Sequence, residues 1–458
     1  MRVERVVIAG AGLAGLRTAE ELRSAGFAGS ITMIGAEPRP PYDRPPLTKK
    51  FMVGELDDTT LAADPAALGL DLRLAEAATG LGEAVLRTGR GEYPFDALVV
   101  ATGASPIGLP GNGRQRFLRT LDDALELRSA LHQGTRLTVV GAGWIGAELA
   151  TAAARRGCRV TVVEAASTPV AAALGTAVGA WMVPWYAEAG VELLLRQPVE
   201  SVEPGGLALP GGGWLAADQI VTAVGVRPQT GWLAGSGVAL ANGVAVDERL
   251  RASVPGVFAV GDCAAFVSRR YGARLRVEHW DCALHAPEVV AANILGGDEI
   301  YDPVPYFWSE QFGRMVQYAG HHTGADRLIW RGDPAGREWT ACWLSGTGPG
   351  DGAGPGDGAG TGDAERLVAL LAVGRPRDLL QGRRLIAAGL PVDPARLADP
   401  AIAVRDTAGG GGLCRWPRIR ATPVPAQCGG MCSAAIRRSP ERPGCPVSPA
   451  PAAPGVSR

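Results

Sequence analysis

Two glycine-rich turns carry the clearest chemical signal in this chain of 458 residues. Each has the spacing G-x-G-x-x-G, first over residues 10–15 and again over residues 141–146. In such a turn the first glycine permits a tight bend, the second lets a diphosphate approach the backbone, and the third lets helix and strand pack closely. The phosphates then lie at a helix N-terminus, where unpaired N–H groups and the helix dipole favour negative charge. The two turns therefore predict two dinucleotide sites.

An acidic residue stands near the end of the strand that is expected to follow each turn. These residues are Glu37 and Glu164, and a carboxylate at this place accepts hydrogen bonds from the adenosine ribose. One glycine turn by itself can be purely structural. Two turns, each with a flanking strand, a helix and an acid, predict two bound nucleotides. Two nucleotide sites in one chain imply that electrons pass between two cofactors.

The chain contains only two lysines, the adjacent Lys49 and Lys50, among 45 basic residues. Everywhere else arginine supplies the positive charge. An ammonium is a compact point charge, whereas a guanidinium is a broad planar fork, so the two are not interchangeable at a reacting centre. We therefore expect that chemistry retains lysine in this segment, with chance retention of either lysine as the alternative.

The elements that position these turns follow from apolar periodicity. Short buried strands are predicted at residues 5–9, 30–34, 136–140 and 159–163, with a helix after each turn. Two more apolar strands, at residues 96–101 and 256–260, stop at Thr102-Gly103 and at Gly261-Asp262. Strands that alternate with helices in this way predict parallel sheets covered by helices. The fold class is α/β, with two Rossmann-like nucleotide-binding domains.

The remaining boundaries follow from changes in composition. The first nucleotide-binding domain is expected to comprise residues 1–112 and 241–304, and the second residues 113–240. A smaller C-terminal α+β domain follows at residues 305–404. Within it, residues 346–363 consist almost wholly of Gly, Pro, Asp, Ala and Thr, which predicts a flexible insertion. Residues 405–458 lose apolar periodicity and are rich in Pro and Gly, a composition typical of a disordered, low-complexity tail.

Charge and cysteine content exclude several classes of function. The formal net charge of −1 offers no bulk attraction to nucleic acid or to an anionic membrane. No apolar stretch has the character of a membrane span or a signal peptide. The eight cysteines include no CxxC pair, so neither a disulfide scaffold nor a thioredoxin-like redox motif is indicated. We expect a cytoplasmic protein without a bound metal.

Seven further motifs resemble one family, the FAD-dependent, NAD(P)H-linked ferredoxin and rubredoxin reductases, which includes putidaredoxin reductase. The resemblance covers about Val3 to Val404. Besides the first glycine turn, it rests on Pro41-Tyr42-Asp43-Arg44-Pro45-Pro46-Leu47-Thr48-Lys49, Ala101-Thr102-Gly103, Gly141–Glu148, Val224-Gly225-Val226-Arg227-Pro228, Val260-Gly261-Asp262-Cys263, Arg276-Val277-Glu278-His279-Trp280 and Phe307-Trp308-Ser309-Glu310-Gln311.

The resemblance assigns FAD to the first domain and NAD to the second. It implies that Lys49 lies at the flavin ring and that Glu148 lies opposite it beside the nicotinamide, as the two catalytic residues. The residues implied at FAD are Gly10, Gly12, Ala14, Gly15, Glu37, Arg44, Lys49, Ala78, Thr102, Gly103, Arg128, Gly261, Asp262, Trp280 and Trp308. The residues implied at NAD are Gly141, Gly143, Ile145, Gly146, Glu164 and Gly225.

The electron acceptor is indicated by an absence. Disulfide reductases of this fold carry a cysteine pair on the helix facing the flavin, and related NADH oxidases carry one cysteine there. Residues 41–54 contain no cysteine. The resemblance therefore implies hydride transfer from NADH to FAD and single-electron transfer to an iron–sulfur ferredoxin or rubredoxin, which serves a cytochrome P450 or a dioxygenase. Two alternatives remain, an NADH-sensing flavoprotein resembling apoptosis-inducing factor and an NADH oxidase.

Two expectations concern surfaces. The protein is expected to be a monomer or a homodimer. Because ferredoxins are usually acidic, a local basic patch is expected to steer docking. Arg269, Arg270, Arg274 and Arg276, between Asp262 and Trp280, form the candidate patch. Arg155, Arg156 and Arg159 lie near the second glycine turn in sequence and are expected to soften the repulsion of a 2′-phosphate by Glu164.

Overall fold

The structure is a computed structural model that describes residues 3–346 and 365–409. The first region of the chain forms a nucleotide-binding domain. Its elements are β1 (Arg5–Ala9), α1 (Leu13–Ser24), β2 (Ser30–Ile34), α2 (Lys50–Val53), β3 (Leu70–Arg73), β4 (Ala78–Gly82), β5 (Val85–Thr88), β6 (Glu92–Pro94), β7 (Ala97–Val100) and β8 (Ala104–Pro106).

A second nucleotide-binding domain follows. Its elements are α3 (Leu121–Ala130), β9 (Arg136–Val140), α4 (Trp144–Arg155), β10 (Arg159–Val163), α5 (Ala171–Leu174), α6 (Thr176–Gly179), α7 (Val183–Glu188), β11 (Glu192–Leu194), β12 (Ser201–Glu203), β13 (Gly206–Leu209), β14 (Gly213–Ala216), β15 (Gln219–Thr222) and β16 (Val226–Pro228).

The chain then returns to the first domain and ends in a third. The returning elements are β17 (Val244–Ala245), β18 (Val257–Ala259), β19 (Ala264–Ser268), β20 (Ala273–Leu275) and α8 (Trp280–Ile294). The third domain contains β21 (Tyr306–Gln311), β22 (Arg314–Gly320), β23 (Arg327–Arg331), β24 (Trp339–Ser345), β25 (Arg366–Val373), α9 (Pro376–Ala388) and α10 (Pro394–Ala398).

Two parallel sheets carry the nucleotide-binding domains, which confirms the predicted α/β class. The first has the strand order β18-β7-β1-β2-β3, and the second β11-β10-β9-β15. Their central strands are continuous apolar runs such as RVVIA in β1 and RLTVV in β9, buried at every position after the first. Such runs are typical of parallel strands covered on both faces. The carboxyl ends of β1, β7 and β18 therefore lie at one edge of the first sheet, as those of β9, β10 and β15 do in the second.

The second domain is inserted into the first through a two-stranded connection. Outgoing β8 pairs antiparallel with returning β16, with Ser105 opposite Arg227. Leu233 and Val238 already pack into the core of the first domain. The chain thus rejoins this core before position 241, where the sequence analysis placed the boundary.

The third domain is an antiparallel sheet in the order β21-β22-β25-β24-β23, with α9 packed against it. Residues 405–409 are part of this domain. Thr407 is fully buried and its carbonyl accepts from the Asp393 amide at 2.8 Å. The packed chain therefore extends past the predicted boundary at 405. The rest of the predicted tail, and all but Gly346 of the predicted insertion 346–363, lie outside the described residues.

Within residues 3–346 and 365–409, no helix combines the length and the hydrophobicity needed to cross a bilayer.

Candidate functional site

The first glycine turn has the geometry of a phosphate cradle. Gly10 has φ +123°, and a Cβ there would lie 2.1 Å from the carbonyl oxygen of Ala101. A Cβ at Gly15 would lie 1.9 Å from the carbonyl oxygen of Gly10. Packing therefore demands both outer glycines. A Cβ at Gly12 would meet no protein atom within 4 Å, so the requirement at this position is the approach of a ligand to the backbone.

The second turn repeats this geometry. Gly141 has φ +104°, and added Cβ atoms at Gly141 and Gly146 would lie 2.4 Å and 2.0 Å from backbone oxygens, whereas Gly143 faces open space. The helices α1 and α4 start at these turns with no side-chain cap and no acidic residue in the first turn. Their N–H groups can therefore serve a ligand. The donor set at both turns fits the diphosphate of a dinucleotide.

The two acids differ in their surroundings. The Glu37 carboxylate accepts hydrogen bonds from the Tyr42 hydroxyl and from the Arg44 guanidinium, which lies 2.6 Å away. The Glu164 carboxylate instead accepts from two backbone amides, that of Ala142 at 2.7 Å and that of Ala166 at 2.8 Å. Ala142 belongs to the glycine turn, so Glu164 is fixed beside the second cradle without a positive partner among the described side chains.

The three arginines expected to soften the charge of Glu164 do not reach it. Arg155 pairs with Glu55, and Arg156 donates to the carbonyls of Met52, Arg128 and Leu131. Arg159 begins β10, whereas Glu164 follows the end of the same strand. Because a strand of five residues is about 16 Å long, Arg159 is too far from Glu164 to pair with it. None of the three arginines therefore offsets the repulsion between Glu164 and a 2′-phosphate.

The ends of β7 and β18 bring the remaining first-domain motifs together. Gly261 lies beside α1, because a Cβ there would come within 3.1 Å of Ala14. Asp262 follows it and accepts from Arg119 at 2.7 Å. Arg119 is not among the predicted site residues. Its only signal is its place directly before Thr120, which with Asp123 forms the capping box of α3.

Arg128 and Ala78 lie away from this cluster. Arg128 donates to Asp57 at 2.8 Å, and its guanidinium stands 5.1 Å from the centre of the Phe51 ring. These two contacts hold the Arg128 side chain beside α2. Ala78 starts β4, just after residues whose amides donate to the carbonyls of Gly35 and Glu37. These bonds place the start of β4 beside the residues that follow β2. The Thr102 hydroxyl donates to the carbonyl of Gln229, and the Gln229 amide donates to the carbonyl of Gly103. Both bonds use the backbone of Gln229 and not its side chain.

Aromatic side chains from the first and third domains meet on one face. The indole of Trp280 donates to Asp43 at 2.7 Å, and its ring is 5.7 Å from that of Trp308. Tyr306 stacks against Trp308 at 6.1 Å.

Gly225, with φ +114°, follows β15 close to the second glycine turn. Ile145, in the first turn of α4, is 43% exposed, whereas Trp144 packs edge-on against Phe307 at 4.6 Å.

Lys49 and Glu148 form an ion pair between the two nucleotide-binding domains. Nζ of Lys49 lies 2.7 Å from Oε2 of Glu148, with side-chain exposures of 12% and 4%. The hydroxyl of Thr48 donates to the same carboxylate oxygen. Oε1 accepts from the hydroxyl of Ser309 at 2.7 Å. The carboxylate, which belongs to the second domain, thus accepts from donors of the first and third domains. Thr48, Ser309 and Gln311 lie in motifs that carry the family resemblance, but no role was predicted for them.

The cysteines in the described part of the chain are unsuited to redox chemistry. All four are free. Burial raises the pKa of Cys263 to about 11, and the pKa values of Cys282 and Cys342 to about 12. These thiols stay protonated, and a thiol without thiolate character is a poor nucleophile. Burial also lowers the pKa of His279 to about 4, so this imidazole is neutral at pH 7.

The guanidiniums of the expected basic patch at residues 269–276 have partners within the protein, although Arg269 and Arg274 are exposed. Arg269 pairs with Glu248, and Arg270 donates to the carbonyls of Ile386 and Ala387. Arg274 donates to the carbonyls of Val246 and Ala265, and Arg276 bonds to Glu278. These four arginines tie the first domain to itself and to α9.

Comparisons with known proteins match most of the described chain. The profile of the pyridine nucleotide-disulphide oxidoreductase family matches residues 4–286, and the Reductase C-terminal profile matches residues 306–348 and 361–408. Rhodocoxin reductase of Rhodococcus erythropolis is 33% identical over 86% of this chain and 92% of its own. The ferredoxin–NAD(+) reductase component of the anthranilate 1,2-dioxygenase system of Burkholderia cepacia is 34% identical over 88% of this chain and 99% of its own.

Solved structures show the same similarity. The crystal structure of Fdr9 is 47% identical, with a TM-score of 0.81 over 88% of this chain and 99% of its own. The putidaredoxin reductase–putidaredoxin complex is 29% identical, with a TM-score of 0.80 over 88% of this chain and 98% of that chain. The similarity therefore spans all three domains.

Proposed function

The chain belongs to the pyridine nucleotide-disulphide oxidoreductase family, and from this membership we propose that it is an NADH-dependent ferredoxin reductase. It is a flavoprotein oxidoreductase that uses FAD and NAD(P)H. Several relatives are ferredoxin–NAD(+) reductase components of dioxygenase systems, and another is putidaredoxin reductase. These names favour electron transfer to a carrier over the NADH-sensing and NADH-oxidase alternatives.

One observation carries this proposal: the buried pair of Lys49 and Glu148 joins the two nucleotide-binding domains. When bound, the two cofactors would supply hydride transfer from NADH to FAD and release of the electrons one at a time. The cradles at residues 10–15 and 141–146 hold the diphosphates. The ion pair fixes two charged groups where the domains meet, so that neither needs to reorganise during the reaction.

The site residues take the following roles in the proposal. Glu37 and Glu164 hold the two adenosine riboses. Asp262 and Trp280 lie on the flavin side with Lys49, and Arg119 joins them through its bond to Asp262. Gly225 and Ile145 border the nicotinamide nucleotide. Trp308 closes the flavin side from the third domain, through its contact with Trp280.

The exposed face of α9 is the surface that we propose for an acidic carrier. Within the described chain, Arg377 and Arg384 have no acidic partner, and Leu380 between them is 54% exposed. The neighbouring Arg383 contacts Asp281 and stands 5.0 Å from the centre of the Tyr306 ring. The helix is therefore continuous with the aromatic face at Trp280 and Trp308. Two free guanidiniums around an apolar side chain fit an acidic protein surface.

Reduction of candidate carriers tests the function. The purified holoprotein is mixed with NADH and an iron–sulfur ferredoxin under anaerobic conditions, and the ferredoxin spectrum is followed. Reduction of ferredoxin at a rate well above that of oxygen consumption supports the proposal. A stable NADH complex with no turnover supports the sensor, and rapid peroxide formation supports the oxidase. A rubredoxin, tested in parallel, distinguishes the two carriers. The proposal also includes a P450 or dioxygenase as the terminal enzyme, a cytoplasmic location, and a monomeric or homodimeric protein.

A further inference from the structure

The hydroxyl of Ser309, in the third domain, donates a hydrogen bond to Glu148 in the second domain. It lies 2.7 Å from Oε1 of Glu148, although the two residues are separated by 161 positions. Ser309 is 1% exposed. A hydroxyl and a carboxylate that are both buried lose their hydration, so the hydrogen bond between them has no competing water. The third domain thus holds the oxygen of Glu148 that Lys49 does not reach.

The direction of this hydrogen bond is fixed by a second one. The Gln311 side-chain amide donates to Oγ of Ser309 at 3.1 Å, and Gln311 is also buried. Because the serine oxygen accepts from Gln311, its own proton is available for Glu148. The opposite arrangement would direct the hydroxyl proton to Gln311 and leave Oε1 without a donor, which is costly for a buried carboxylate. The chain of donors therefore runs from Gln311 through Ser309 to Glu148.

The strand that carries Ser309 is anchored on the second domain. The turn after β21 places Phe312 at φ 49°, an uncommon conformation for a bulky residue. Its amide donates to the hydroxyl of Thr151 on α4 at 3.0 Å, and its ring lies 4.5 Å from that of Tyr186. Arg314, which starts β22, donates to Glu188 at 2.7 Å. The hairpin is therefore held at the helix that also carries Glu148.

The side chains of Ser309 and Trp308 point to opposite faces of β21. Neighbouring residues of a β-strand point to opposite faces. Trp308 contacts Trp280 on the flavin side, whereas Ser309 contacts Glu148. One short strand therefore links the aromatic face and the ion pair, and its position is fixed by contacts to both nucleotide-binding domains.

We propose that Ser309 is a positioning residue: by holding Oε1 of Glu148, it keeps Oε2 on Lys49, and the third domain thereby completes the hydride-transfer site. The inference concerns the reduction of the flavin by NADH and rests on the proposed function for that step alone. It does not depend on which carrier receives the electrons. Ser309→Ala removes the donor, and Ser309→Thr retains a hydroxyl. Thr340→Val is the matched control, because Thr340 is a buried hydroxyl of the same sheet that bonds to a different carboxylate, Asp378.

The two lysines provide a readout that does not require turnover. The chain contains no lysine other than Lys49 and Lys50, so labelling with an amine reagent, followed by fragment mass spectrometry, reports on these two side chains. Lys50 is exposed and serves as the internal standard. We expect Lys49 to be labelled several times faster in Ser309→Ala holoprotein than in the wild type. Ser309→Thr should restore the protection, and Thr340→Val should leave it intact.

Rapid mixing with NADH gives the second readout. We expect the limiting rate of flavin reduction to fall about tenfold in Ser309→Ala, with the affinity for NAD(+) by calorimetry changed less than twofold. Ser309→Thr should recover most of the rate. The proposal is overturned if Ser309→Ala matches the wild type in both readouts, or if Thr340→Val causes the same losses. Should Ser309→Ala fold poorly, Ser309→Cys, with a weak donor of similar size, must give intermediate values. Loss of ferredoxin reduction with normal flavin reduction would contradict only the proposed function.

Discussion

Lys49 and Glu148 are 99 positions apart, yet their charged groups meet at 2.7 Å across the boundary between two domains. Lys49 follows a short 3₁₀ turn, Pro45–Thr48, in the first domain, and Glu148 lies in the second turn of α4 in the second domain. Because both side chains are almost wholly buried, the pair depends on the closure of the two domains. The charge that one residue carries is balanced only when the other is in place.

Loss of Lys49 should therefore destabilise the protein as well as slow it. Lys49→Met leaves the Glu148 carboxylate buried without its cation, a defect that costs about 3 kcal/mol in proteins. We expect a lower free energy of unfolding in urea and at least a tenfold slower reduction of the flavin by NADH. Lys50→Met is the matched control, because Lys50 is the exposed neighbour. Equal effects of the two substitutions would remove the ion pair from the mechanism.

Glu164 should determine the preference for NADH over NADPH. Its carboxylate is held by two backbone amides, and no arginine of residues 155–159 reaches it, so a 2′-phosphate meets an uncompensated negative charge. We expect Glu164→Ala to shrink the ratio of kcat/KM for NADH to that for NADPH by about tenfold. Glu192→Ala, on the adjacent strand β11, should leave the ratio unchanged. An unaltered ratio in Glu164→Ala would show that another residue sets the preference.

Charge reversal on α9 should weaken the capture of ferredoxin. Arg377→Glu combined with Arg384→Glu places two negative charges on the proposed docking face, and we expect the KM for ferredoxin to rise about tenfold at low salt. The dependence on salt should diminish, and ferricyanide reduction should stay normal. Arg159→Glu, at an exposed arginine of the second domain, is the control. Wild-type ferredoxin kinetics in the double variant would place docking elsewhere.

Acid should destabilise the third domain through Asp378. Burial alone would raise the pKa of Asp378, but hydrogen bonds from Arg375 and Arg331 outweigh it and hold the pKa below its usual value. A depressed pKa means that the stabilisation is present above the unfolded pKa of about 3.9 and is lost as the pH falls through the folded value. Asp378→Asn leaves Arg331, which is 1% exposed, without its charge partner.

We expect that substitution to lower the free energy of unfolding by about 3 kcal/mol at pH 7. Its difference from the wild type should narrow below about pH 4. Urea unfolding at several pH values measures both effects. Asp406→Asn removes an exposed pair with Arg405 and should have little effect. A constant difference between Asp378→Asn and wild type from pH 7 to pH 3 would contradict the assignment.

The end of the packed chain should lie at Gly409. Ala408 bridges to Val392, and the Gly409 amide donates to the carbonyl of Pro391 at 2.8 Å. We expect a protein that ends at Gly409 to retain its FAD, its thermal stability and its ferredoxin reduction. A protein that ends at Val404 should melt at a lower temperature, because it lacks the buried Thr407. Loss of flavin on truncation after Gly409 would show that residues 410–458 contribute to the fold.

The sequence by itself determined the features that depend on local order along the chain. Residues 10–15 and 141–146, with Glu37 and Glu164 behind them, specify two Rossmann-like units, because a phosphate cradle is built from glycines at fixed spacing and from a strand and a helix that adjoin it. The scarcity of lysine pointed to Lys49. The strands at residues 5–9, 136–140 and 159–163 followed from apolar runs that can be recognised in a short window.

Only the tertiary structure decided which of many similar side chains meet. Arg119 reaches Asp262, whereas Arg128 bonds to Asp57, and the guanidiniums of residues 269–276 are engaged in contacts within the protein. Neither fact is visible along the chain, because a single sequence contains dozens of arginines and no record of their partners. Ser309 lies opposite Glu148 only because β21 crosses from the third domain to α4. Such a contact is fixed by domain packing, which brings together residues that no local pattern connects.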